Sequence, residues 1–311
     1  IKKIDTFNAQ NIANTMWAFA RARHSSPKLF DAISHTTMEK VNTLNSQNIA
    51  STICSFAMLD YEMNITTLDT MYSQAISMVE KLKVHEIIKL LWSMAVFDYK
   101  DIDAAIPLFS QIAERYTYDV NNEDVFWTIP VEHLQQLHQA SLWYSKEHNK
   151  KSLLPLKLRA ECLLAFIFTN NNNNEKIRHP SSRLQRDVVK TLQSLEDDDL
   201  VIMGEGIRCN QTGYSIDILI GTKDNPKKRI AIKINKPHHY ISNRSLKGVT
   251  LLKRRQLSHL AANNRSLISI PYWEWYELSK YQPQCTGSNG KDDDDNNNNG
   301  EKRKQRYLQE C

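Results

Sequence analysis

Between Tyr214 and Trp275 the chain sets acids, bases and aromatics in an order suited to phosphate chemistry. Asp217 lies inside the apolar run SIDILI and Lys233 inside RIAIKIN; Lys236, His238 and His239 follow in the turn NKPHHY. Lys253, Arg254 and Arg255 stand side by side in TLLKRRQL, and SLISIPYWEW ends in Tyr272, Trp273 and Trp275. Metal-assisted phosphodiester cleavage needs hard carboxylate oxygens to hold Mg2+. Asp217 is one such group, and His238 or His239 is a candidate general acid. The same residues serve phosphate binding without chemistry. Lys233, Lys236, His238, His239, Lys253, Arg254 and Arg255 would neutralise phosphates and give salt-sensitive affinity. Tyr272, Trp273 and Trp275 would stack on unpaired bases, at roughly 1–3 kcal/mol each. Ordinary structural roles compete with these: the histidines close a turn, one of Trp273 and Trp275 packs in the core, and Arg254 or Arg255 pairs with Glu274.

The elements that must hold these residues are short. Ile216, Ile218 and Ile220 alternate with Asp217 and Leu219, and Ile230–Ile234 is a second strand, with a hairpin turn at 222–228 between them. A helix over 248–262 turns Leu251, Leu252 and Leu257 inward. Leu267–Ile270 is a third strand, ended by Pro271. Strand, strand, helix, strand is the order of small nuclease-like α/β domains.

Upstream the chain repeats. FNAQNIANTMWAFARA, LNSQNIASTICSFAMLDY and VHEIIKLLWSMAVFDY begin at Phe7, Leu44 and Val84; Gln10 aligns with Gln47, and Trp17 with Cys54 and Trp92, at a period of about 38. A second helical pattern follows each, so the unit is a helical hairpin and the whole an all-α array. Ile12, Met16, Phe19 and Ala20, with Ile49, Ile53, Phe56 and Ala57, have the spacing of a core face. Trp17 and Trp92 are expected to pack between helices. The opposite face carries Asn11 and Asn14, then Asn48 and Ser51, then Glu86 and Lys89. Small polar side chains that differ between repeats suit base-edge readout, one nucleotide per repeat; an ordinary solvated face is the alternative.

The expected organisation is helical repeats over 1–120, further helix over 121–169, an Asn-rich linker at 170–180, a lead-in helix over 181–199, an α/β domain over 200–281, and a disordered tail over 282–311. Net charge is +5 over 311 residues, but residues 201–281 hold 14 Lys and Arg against 5 Asp and Glu, while residues 1–200 hold 21 against 24. That local basic field fits a polyanionic partner. Five cysteines without C-x-x-C spacing argue against a zinc site and for free thiols in a reducing compartment. No run of about 18 apolar residues is present, so no membrane span is expected. The first residue is Ile1, inside a helical pattern, which reads as a fragment whose targeting segment would lie upstream.

The segments IDILI, RIAIKINKPHHY, TLLKRRQL and SIPYWEW resemble the RAP domain, the C-terminal RNA-binding module of FAST-kinase-like and octotricopeptide-repeat proteins. NAQNIANTMWAFA and NSQNIASTICSFA resemble, more loosely, the octotricopeptide repeats that accompany it. The resemblance implies a multidomain α plus α/β protein: a helical-hairpin array followed by a small restriction-endonuclease-like RAP domain. It implies single-stranded organellar RNA as partner, mitochondrial or plastid location, and a role in RNA processing, stability or translation. It also sharpens the catalytic question. The RAP strand commonly ends in IEIDGPHH, with acids two apart, where this chain has Lys233 and Asn235 and Lys236 replaces the glycine. A lysine at a carboxylate position repels a metal, so the expectation is a non-catalytic RNA-binding protein with no metal or cofactor. An Mg-dependent endonuclease using Asp217 and the histidines is one alternative, and a protein-interaction scaffold on ribosomes or RNA granules the other. G-x-G-x-x-G, V-A-I-K and H-R-D motifs are missing, so kinase activity has no support.

Overall fold

A computed structural model describes residues 4–121, 129–168, 182–195, 200–209, 212–224, 229–261, 265–279 and 293–311. They fall into two compact units, Ile1–Asn172 with His239–Gln256, and Asn173–His238 with Leu257–Cys311. The expected linker at 170–180 lies outside the described residues.

The first unit is a row of helical hairpins. They pair α1 (Ala9–Ala22) with α2 (Pro27–Glu39), α3 (Ser46–Leu59) with α4 (Ile65–Ser77), α5 (Val84–Phe97) with α6 (Ala105–Asn121), and α7 (Val131–Leu142) with α8 (Leu156–Phe168). The segment at 121–169 therefore supplies a fourth hairpin, which the sequence period does not reveal. The first helices of successive hairpins pack side by side, α1 on α3, α3 on α5 and α5 on α7. Their seams are the expected apolar stripes: Ile12, Met16, Ile49, Ile53, Phe56 and Ala57 are all sealed from solvent.

Local chemistry repeats with the hairpin. The first three first-helices end on a residue with positive φ, Arg23 at 55°, Asp60 at 50° and Asp98 at 50°. Such left-handed caps satisfy the last carbonyls of a helix. Tyr61 and Tyr99 follow two of these caps and donate to Asp31 (2.5 Å) and Asp69 (2.8 Å) on the previous hairpin's second helix. Lys40 donates to the Phe7 carbonyl (2.6 Å) and Arg115 to the Leu82 carbonyl (2.5 Å), each 33 residues back, tying a second helix to the start of its own first helix.

The second unit is a four-stranded sheet in the order β1 (Leu200–Arg208), β2 (Ser215–Thr222), β3 (Arg229–Asn235) and β4 (Arg265–Pro271). β1–β2 and β2–β3 are antiparallel and β3–β4 parallel. Ile218, Ile220, Ile232, Ile234 and Ile270 bury one face together with Leu184, Val188 and Leu192 of α9 (Arg183–Gln193). This helix is the expected lead-in; Ser182 accepts from the Gln185 N–H (3.2 Å), so its hydroxyl caps it.

Three elements differ from the expected organisation. The strand β1 was not anticipated: Gly204 and Gly206 interrupt its pattern, a bulge lies between Ile202 and Gly204, and Gly206 has φ +61°. Past the strand that Pro271 ends, Tyr272, Trp273 and Trp275 open a helix that was not anticipated, α11 (Tyr272–Leu278), with Pro271 at its N-cap. The described part of the tail is not disordered: α12 (Asp293–Glu310) is helical, with Tyr307 and Leu308 packed on the second core and Lys304 bonded to Asp187 (2.8 Å). Low mean hydropathy hides it, because a single turn supplies the anchors.

A further difference concerns the helix α10 (Gly248–Ala261), expected wholly inside the α/β domain. Its first part belongs to the helical unit, where Ile241 and Leu252 join the array's core. Gly248 touches the Ala57 carbonyl of α3 so closely that no Cβ fits there.

Candidate nucleic-acid interface

On the array, three hairpins start alike. Asn8 accepts from the Asn11 N–H (2.8 Å), Asn45 accepts from the Asn48 N–H (2.9 Å), and Glu86 accepts from the Lys83 N–H (2.8 Å). This corrects part of the expected readout face. Glu86 is buried, and its carboxylate is spent on the start of α5. Asn11 is exposed but closes a reciprocal box, its Oδ1 accepting from the Asn8 N–H (3.1 Å).

Asn14, Asn48 and Ser51 are brought together. They line a groove of about 710 Å3 between α1 and α3, with Asn8, Gln10, Gln47 and Lys40. Each amide carries both donors and an acceptor, the pairing code of a base edge. Lys40 adds positive charge at the same groove. The third pair of the series stands apart from it: Lys89 is half-buried on α5, near His85 and His133, and its charge helps hold both imidazoles neutral. Burial is the larger cause in each, and the two rings stack at 5.8 Å between α5 and α7.

The two tryptophans expected to pack differ. Trp92 is buried and donates to Gln139 of α7 (2.8 Å). Trp17 is 50% exposed, with the Arg21 guanidinium 5.7 Å from its ring centroid. The spacing that predicts packing for both is blind to how small the facing residue is.

The basic helix behaves unlike a phosphate cradle at one of its three cations. Arg255 pairs with Glu147 (2.6 Å), whose side chain is 5% exposed, and donates to the Val96 (3.1 Å) and Ala95 carbonyls at the end of α5. Gln256 donates to Glu147 and to the Gln139 carbonyl. Arg255 is therefore a cap on the array, and its partner is Glu147, not Glu274. Arg254 is exposed and Lys253 half-buried.

In the second unit, Asp217 lies on β2 beside Lys233 on β3. The ammonium donates to its Oδ1 (2.8 Å), the Ile234 N–H donates to its Oδ2 (2.8 Å), and both side chains are less than a fifth exposed. Gln185 of α9 holds the Asp217 carbonyl (3.1 Å). Asn235 is buried and donates to Ser269 on β4 (2.8 Å). Lys236 is half-buried, His238 exposed and His239 half-buried, in the tight turn Pro237–His239; the His239 carbonyl accepts from Lys247 and Thr250. These residues do not fit Mg2+. Asp217 has both oxygens occupied by N–H donors, Glu205 on β1 accepts from Gln185 (3.2 Å), and a cation, Lys233, stands beside Asp217 where a second acid would be needed. Among the described residues no cluster of three or more His, Cys, Asp or Glu is placed to hold a metal ion.

Of the aromatics, Trp275 is sealed in the core and donates to Asp187 (2.7 Å). Burial opposes ionisation of Asp187, but the bonds from Lys304 and Trp275 outweigh it and hold the carboxyl below its ordinary range. Tyr272 and Trp273 are half-buried and meet edge to face at 5.2 Å. Glu274 accepts from Tyr307 of α12 (2.7 Å).

Residues 232–284, from β3 through the Pro-His-His turn, α10 and β4 to α11, match the model of the RAP domain. The chain thus carries a segment similar to the RAP domain. Residues 1–129, the first three hairpins, match the model of the RNA-editing substrate-binding complex 6 protein. A RAP domain-containing protein, chloroplastic, from Oryza sativa subsp. japonica is 24% identical over 307 residues, covering 89% of this chain and 45% of the relative. The chain thus spans less than half of that relative's length. No described helix is long and apolar enough to cross a membrane.

Proposed function

We propose that this protein binds single-stranded RNA in an organelle and acts there in RNA processing, stability or translation without cutting RNA itself. The observation that carries the reading is the amide-lined groove between α1 and α3, where Gln10, Asn14, Asn48 and Ser51 from two successive repeats converge beside Lys40. The match to the RNA-editing substrate-binding complex 6 protein supports RNA as the partner, and the chloroplastic relative supports an organelle. Non-catalytic action is favoured by Asp217, whose oxygens are bonded to Lys233 and Ile234. Phosphate contact is assigned to Lys236, His238, Lys253 and Arg254, and no longer to Arg255.

The test is fluorescence anisotropy with labelled single-stranded RNA across a salt series. Affinity is expected to fall as salt rises, and an Asn14→Ala, Asn48→Ala, Ser51→Ala triple variant is expected to lose preference between RNA sequences more than total affinity. Binding that is absent or indifferent to salt would sink the proposal. Magnesium-dependent cleavage by the unchanged protein, lost in Asp217→Ala, would replace it with the endonuclease reading.

A further inference from the structure

Gln10, Ala13, Asn14 and Trp17 follow one another on α1 at the i, i+3, i+4, i+7 spacing of a single helix face. The first three line the amide groove, so Trp17 extends its α1 wall by one turn. The equivalent residue of the third hairpin, Trp92, reaches the next first-helix and donates to Gln139 there. Gln139 is itself the ninth residue after its helix cap, as Trp92 and Trp17 are after theirs. In the second hairpin that position is Cys54, small and buried. The Trp17 indole therefore lacks a side chain of matching size to cover it and stays half exposed. Arg21, exposed one turn further on, sits over its ring.

An exposed indole, backed by a guanidinium and continuous with a row of amides, matches the chemistry of an unpaired nucleotide. The indole face takes a base by stacking, the amides take a base edge, and the cation takes a phosphate. A protein partner would use the indole without needing the amides or the charge. We infer that Trp17 is the stacking platform for one unpaired RNA base at the end of the α1–α3 groove, with Arg21 backing the ring and neutralising the adjoining phosphate. This rests on the RNA-binding reading above and names the residue on which one base stacks.

The experiment compares the unchanged chain with Trp17→Ala, Trp17→Phe and Arg21→Ala on two probes, a short single-stranded oligoribonucleotide and a fully abasic ribose-phosphate oligomer of the same length. Trp17→Ala is expected to weaken binding of the base-bearing oligomer by about tenfold, the scale of one lost stack. It should leave the abasic oligomer unaffected, and Trp17→Phe should keep most of the affinity. Arg21→Ala should reduce the slope of log affinity against log salt by about 0.7, the single-strand value for one phosphate. The thermal midpoint of Trp17→Ala should match that of the unchanged chain, because the side chain is half exposed. Equal binding of Trp17→Ala and the unchanged chain to the base-bearing oligomer would overturn the inference while salt-sensitive RNA binding persists. Equal losses on both oligomers would overturn it too, by giving Trp17 a structural role. If the unchanged chain binds neither oligomer, the RNA-binding reading itself fails.

Discussion

Lys233 donates its ammonium to Asp217 across two neighbouring strands, and the same carboxylate takes the Ile234 N–H. The ladder between β2 and β3 runs to the Ile218–Ile232 pair, and the next positions are Asp217 and Lys233. The acid therefore continues the strand pairing with its side chain. Asp217→Ala should leave a mostly buried ammonium and a backbone N–H without their acceptor, destabilising the second unit by roughly 3 kcal/mol. Chemical denaturation of the chain checks this. Asp217→Leu with Lys233→Met should recover most of the loss, and adding Mg2+ should not raise the unchanged protein's thermal midpoint.

Arg255→Ala should cost a similar amount, about 3 kcal/mol or more, because Glu147 is left buried without its cation and two carbonyls of α5 lose their donor. The loss should appear as a lower midpoint for the array. At a temperature where the variant is folded, its salt dependence of RNA binding should equal that of the unchanged chain. A reduced salt slope would return Arg255 to the phosphate contacts.

Acid should weaken both units. Asp98 accepts from Trp143 (2.9 Å) and His148 (3.1 Å); burial works against its ionisation, but these bonds and the Arg255 charge hold its carboxyl low. Asp187 is held low in the same way by Lys304 and Trp275. A carboxyl depressed on folding stabilises fully above its unfolded value of about 4 and loses that contribution as pH falls through the folded value. Thermal midpoints should therefore drop below about pH 4, and Asp187→Asn should flatten the drop while lowering the plateau above it.

His85 and His133 should add a second, milder step. Burial lowers both, and for His133 the His85 and Lys89 charges act in the same sense, against Glu132. A histidine depressed on folding contributes above its unfolded value of about 6.5 and less as pH falls below it. Array stability should decline from about pH 6.5 downward, and His85→Gln with His133→Gln should remove that decline. A pH profile unchanged in the double variant would show that the stacked rings do not carry it.

Buried thiols give a simpler check. Burial pushes Cys54 up to about 11 and Cys162 to about 12, whereas Cys311 is exposed. Alkylation of the native chain near neutral pH should leave Cys54 and Cys162 unmodified while Cys311 reacts, as peptide mass mapping would record.

The hairpin row was legible because its signals are local. Ile12 and Met16, or Ile49 and Ile53, carry the helical period within one turn, and Asn8 and Asn45 mark where helices start. Strands β2 and β3 were equally plain from Ile216 to Ile220 and Ile230 to Ile234, because isoleucine recurs at every second position. β1 was not, since two glycines and a bulge erase the alternation while its partner strand supplies the hydrogen bonds. Repeat equivalence put Asn14, Asn48 and Ser51 on one polar face, but the groove they line needs α1 beside α3, and Asn11 and Glu86 looked the same on a helical face and proved to be caps.

By itself, then, the sequence determined the three repeat hairpins, strands β2 and β3, the order of the two fold types, and the basic and polar residues available for RNA. Tertiary structure decided which of those residues were already spent. Asp217 is taken by Lys233, Arg255 by Glu147 and the α5 carbonyls, and Glu86 by its own helix start, while Trp17 is left uncovered. Composition and period describe what each residue can do one turn or one strand away. Whether a charge or a ring is satisfied depends on partners brought near by folding, in one case 108 positions along the chain.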